Sequence, residues 1–101
     1  MKMIKWTSDI IKANLHEARK YINQAYELRD TYQQAAEWCK DMAVKHIEFN
    51  AKGHELVKKL VTEAEAKQSP LAAGMMAVYN DMHAELVREQ AEIMAMISTF
   101  K

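Results

Sequence analysis

Two glycines and one proline in 101 residues leave almost no material for tight turns, so few, long elements are expected. The single cysteine, Cys39, excludes an intrachain disulfide and points to a reducing compartment. Neither charge sign is in excess, because 14 basic side chains cancel 14 acidic ones. Nucleic acid and anionic membranes, which select a positive stripe, are therefore not expected partners. No apolar run approaches the roughly 20 residues of a membrane span. Met1 to Trp6 carries two lysines but no apolar stretch long enough for a signal peptide. The expectation is one soluble, cytoplasmic domain over residues 1–101.

What the chain does contain is helix-forming material. Half its residues are apolar, dispersed among 28% charged ones, as in a folded chain. Alanine, leucine, methionine, glutamate, lysine and glutamine dominate, and all favour the helix. Ile11, Leu15, Ala18, Ile22 and Ala25 recur in alternating steps of four and three. The same rhythm continues through Leu28, Tyr32, Ala35, Cys39, Met42, His46, Phe49, Gly53, Leu56 and Leu60, with one slip before Leu28. A third seam runs Tyr79, Met82, Leu86, Gln90, Ile93, Ile97 and Phe100, with the polar Gln90 in one slot. Such heptad seams pack helices side by side at shallow angles. Beside the middle seam lie Ala36, Trp38, Ala43, Ile47, Val57, Val61 and Ala64, which widen its apolar face enough to touch two neighbours.

Boundaries are marked at two places. Ser69-Pro70 supplies an N-cap serine followed by proline at the first helical position. Thr31 with Gln34 fits a capping box. The predicted fold is all-α, an antiparallel bundle of three helices near 8–29, 31–67 and 70–99. Because Arg29-Asp30-Thr31 holds no glycine or proline, an alternative stands beside it. In that alternative 8–67 is one helix about 90 Å long, with 70–99 returning along it and a partner chain covering the remainder.

The histidines are the residues with an arguable metal role. Folding helices two and three about Gln68-Ser69 sets His54 level with His83. Folding helix one back about Asp30 sets His16 near His46, at the level of Glu92. His46, His54, His83, Glu85 and Glu92 are thus candidate ligands for a transition metal ion, projecting inward as bundle metal sites do. The Glu-x-x-His pairs of di-iron bundles are missing: Ala13, Ala43, Ala51 and Asn80 precede the four histidines by three. A His-Glu-x-x-His zinc motif is also missing. The plainer expectation is no cofactor, with His46 bonded to a neighbour and the others facing water.

No serine stands beside a histidine, no glycine-rich phosphate loop exists, and Cys39 sits in a seam as a small hydrophobe. An enzyme is not expected. Met75, Met76, Met94 and Met96 cannot all face one seam of the last helix, so some should be exposed or buried between chains. With Trp38 as an aromatic anchor, they are the candidate partner-binding residues.

The stretch Ala36-Glu37-Trp38-Cys39-Lys40-Asp41-Met42-Ala43, with His46-Ile47-Glu48-Phe49-Asn50 and Gly53-His54, resembles small helical proteins encoded by phages and prophages. Leu56 to Leu60 and Ala73 to Tyr79 extend that likeness, and a fainter one is to ferritin-like hairpins. The resemblance implies a small helical protein without a catalytic motif. Together these readings predict a non-enzymatic interaction or assembly module, homo-oligomeric or bound to a host or viral protein. A ferritin-like metal-binding bundle is the alternative.

Overall fold

A computed structural model describes residues 2–66 and 71–101, and side chains over 5–63, 66 and 80–101. It contains α1 (Lys2–Leu28), α2 (Gln33–Ala66) and α3 (Leu71–Thr99), in that order. The molecule measures 56 × 17 × 17 Å. Its length matches the roughly 51 Å of a 34-residue helix, and its width that of three helices side by side. The radius of gyration of 16.2 Å reflects that rod shape, against about 13 Å for a round domain of this size.

The bundle is the three-helix one, and the continuous 60-residue helix does not form. α1 ends where the amides of Thr31 and Tyr32 both donate to the Leu28 carbonyl, at 3.1 and 2.8 Å. Those bonds satisfy a carbonyl that a continuing helix would use only once. α2 starts when the Ala36 amide donates to the Tyr32 carbonyl, at 2.9 Å. The last non-helical residue is therefore Tyr32, one place beyond the expected cap Thr31. α1 starts at Lys2, not near residue 8, because nothing before Ile11 breaks a helix and Thr7 and Ser8 are buried along it. The Ser69-Pro70 start signal lies outside the described residues.

Three sets of contacts give the topology. Asn14 meets His46 and Asn50, and Tyr21 meets Trp38, so α1 and α2 run antiparallel. Arg19 reaches Glu89 and Glu92, and Tyr26 reaches Met96 and Thr99, so α3 runs parallel to α1. His54 meets His83, which makes α2 and α3 antiparallel.

The core confirms one seam and rotates another. Ile11, Leu15, Ala18, Ile22 and Ala25 are all buried, as their spacing predicts. Among the described residues of the α3 seam, Leu86 and Ile93 are buried. In α2 the buried row is Ala36, Cys39, Ala43, Asn50, Val57 and Val61, mostly the residues expected on the flank. Most of the expected α2 seam is turned outward by about one residue, roughly 100°. Tyr32, Phe49 and Leu56 are exposed there, and Met42 and Leu60 half-buried. The small side chains decide this. Ala18, Ala25 and Ala43 share the core cluster, and their small side chains allow a close approach that the larger Met42, at the level of Ala43, would block.

Candidate functional site

Rotating α2 leaves an exposed apolar row on its outer face. Trp38, Phe49 and Leu56 are 57%, 55% and 45% exposed, and Met42 and Leu60 are half-buried along the same line. Their spacing keeps them on one face for 22 residues, about 33 Å of helix. Lys45 lies between Met42 and Phe49, and together with Asn14 and His46 these residues line a shallow groove of about 320 Å³. On α1, the antiparallel register sets the exposed Trp6 level with Leu56. Aromatic residues this exposed and this aligned are uncommon on a monomer's surface unless something covers them.

Behind the row is a closed polar network that fixes α2 on α1. Asn14 Nδ2 donates to the His46 carbonyl at 2.7 Å and to Asn50 Oδ1. His46 Nδ1 donates to Asn14 Oδ1, which sets the imidazole tautomer. Asn50, fully buried, donates from Nδ2 to the Ile11 carbonyl at 3.3 Å. Tyr21 stacks on the His46 ring at 5.3 Å and meets Trp38 edge-on at 5.8 Å. Every polar atom of the Asn14 amide is used, so the interior bears these groups without an unpaired penalty.

A second polar level lies between α2 and α3. The His54 and His83 rings have centroids 5.0 Å apart and are tilted by 44°. His54 Nε2 is enclosed and finds no hydrogen-bond partner. Burial, and then the nearby His83, push the His54 pKa below its usual value of 6.5, so the ring stays neutral at pH 7.

The predicted ligands separate accordingly. His54 and His83 come together as expected from the hairpin register. His46 is occupied by Asn14. Glu92 pairs with Arg19 at 2.9 Å, and Glu85 is exposed, two residues and about 200° round the helix from His83. His16 is exposed as well, since Asn14 holds the α2-facing side of α1, about 200° away. The expected His16–His46–Glu92 level is instead held by Asn14–His46 and by Arg19 with Glu89 and Glu92. Among the described residues, no group of three His, Cys, Asp or Glu is placed to hold a metal ion.

The predicted partner residues separate too. Trp38 is exposed as expected. Met94 is 49% exposed, whereas Met96 packs on the core and its carbonyl accepts the Tyr26 hydroxyl at 2.7 Å. Met75 and Met76 lie on α3 outside the described side chains.

No known family, curated protein or solved structure matches this chain. Its surfaces therefore have to be read from its own residues. Among those described, no helix is long and apolar enough to cross a membrane. Phe49, Leu56 and Asn14 were missed by sequence reasoning as site residues. The available signal was Asn50, a polar residue spaced by sevens from Ala43 and Val57. It marks the second apolar row, and hence leaves the first one free.

Proposed function

We propose that this chain is a non-enzymatic helical assembly module whose working surface is the exposed α2 row, covered by a second copy of itself. The symmetry of that row carries the reading. Met42 and Leu56 lie seven residues either side of Phe49, and Trp38 and Leu60 eleven either side. A two-fold axis near Phe49 would bring an antiparallel copy into register, with Met42 on the partner's Leu56 and Trp38 on the partner's Leu60. Closed dimers need this self-complementary arrangement, in which a patch fits its own copy.

Charge on the flank of the row is symmetric about residue 50, one position from Phe49, and so is compatible with an axis there. Asp41, Glu48, Lys52 and Lys59 are all exposed beside it. In the antiparallel pair Asp41 faces the partner's Lys59, and Glu48 faces the partner's Lys52. Each pair occurs twice by symmetry, which favours this register over parallel pairing. The resemblance to small phage and prophage proteins is in keeping with an accessory protein of this kind working in the cytoplasm.

Light scattering across a concentration series, on the wild type and on Phe49→Glu, tests this. The wild type should show twice the 11.7 kDa chain mass. Phe49→Glu should remain helical, because the side chain is mostly exposed in the single chain. Burying each Phe49 contributes about 2 kcal/mol, and two copies lose it, so dimer affinity should fall by at least about a hundredfold. A wild type that stays monomeric into the millimolar range, or a dimer indifferent to Phe49→Glu, would contradict it.

A further inference from the structure

We propose that His54 and His83 together bind one divalent late-transition ion of the copper, nickel and zinc class, which clips α3 to α2. This site is separate from the exposed α2 row and does not depend on it. An imidazole nitrogen binds such an ion at about 2.0–2.1 Å, which puts the ring centroid roughly 3.2 Å from the metal. Two rings at bond angles of 90–110° then have centroids about 4.5–5.2 Å apart. The observed 5.0 Å lies inside that range, and the rings are tilted rather than stacked. His54 Nε2 is enclosed without a hydrogen-bond partner. A buried ring nitrogen in that state carries a desolvation cost that a bound ion would remove.

Among the described residues no third His, Cys, Asp or Glu joins this pair, so the protein ligands proposed are the two imidazoles. Imidazole suits copper, nickel and zinc, and affinity should follow the order copper above nickel, with zinc below copper. Because one ligand comes from each helix, binding would couple to the packing of α3. Among the described residues that helix contributes Leu86 and Ile93 to the buried core, and a cross-helix bond would add to that packing.

Calorimetric titration of chelator-stripped protein with copper, nickel and zinc chlorides tests the site. One ion per chain should bind, and at a hundredfold excess over Kd the melting midpoint should rise by about 10 °C or more. His54→Leu and His83→Leu should each weaken binding at least tenfold, whereas His16→Ala should leave it unchanged. Circular dichroism confirms that each variant folds. If His83→Leu does not, electron paramagnetic resonance of the wild-type copper form decides, with two imidazole nitrogens expected. No binding at millimolar ion, full binding in either leucine variant, loss in His16→Ala, or fewer than two imidazole nitrogens would overturn the proposal.

Discussion

A Cβ atom placed on Gly53 would lie 3.1 Å from Cγ1 and 3.3 Å from Cδ1 of Ile11. Ile11 is itself buried, so it has little room to retreat. Glycine in a helix interior costs about 1 kcal/mol relative to alanine. Here that cost allows α1 and α2 to approach closely. Gly53→Ala should therefore fail to stabilise, losing about 1 kcal/mol to crowding where an open helical site would gain as much. The urea midpoint reads this directly, and a rise would show that Ile11 yields freely.

Asn50 is the fully buried polar residue of the α1–α2 interface, tied to Asn14 and to the Ile11 carbonyl. Asn50→Ala should destabilise by about 2 kcal/mol, because it leaves part of the Asn14 amide unpaired as well as opening space. Asn14→Ala added to it should cost less than it does alone. A double-mutant cycle should yield a coupling of about 1 kcal/mol. Strict additivity would mean that the two amides act independently.

His54 gives the apo protein a pH dependence of known sign. Its folded pKa is held below 6.5, first by burial and then by His83. Between that folded value and 6.5 the unfolded chain binds more protons, so stability rises with pH. The contribution is fully present above pH 6.5 and is lost as pH falls through the folded value. With a chelator present, His54→Leu should flatten this slope. It should also raise stability at pH 7 by about 1 kcal/mol, since the enclosed Nε2 is removed. An unchanged slope between pH 7 and pH 5 would place the titrating group elsewhere.

The three helices and the α1 stripe were legible because Ile11, Leu15, Ala18, Ile22 and Ala25 make a single apolar line. α2 was harder, since it carries two apolar rows. The larger side chains, Met42, Phe49 and Leu56, continue the heptad count, while the buried row is interrupted by Asn50. Which row faces inward depends on side-chain size against Ala18 and Ala25 of another helix, and a one-dimensional pattern does not contain that. The His54–His83 level followed from hairpin register alone. His16 and Glu92 did not follow, because register gives the level along a helix and not the direction round it. Asn14 and Arg19 occupy the facing directions on α1.

The self-association of α2 about Phe49 is tested most directly by cross-linking through a single thiol. In a Cys39→Ala background, Glu48→Cys places its only thiol beside the two-fold axis with Phe49 retained, and Val87→Cys places it on an exposed position of α3. Under mild oxidation followed by non-reducing electrophoresis, Glu48→Cys should convert to a disulfide-linked dimer well ahead of Val87→Cys. Equal rates for the two, or a Glu48→Cys chain that stays monomeric, would contradict the antiparallel dimer.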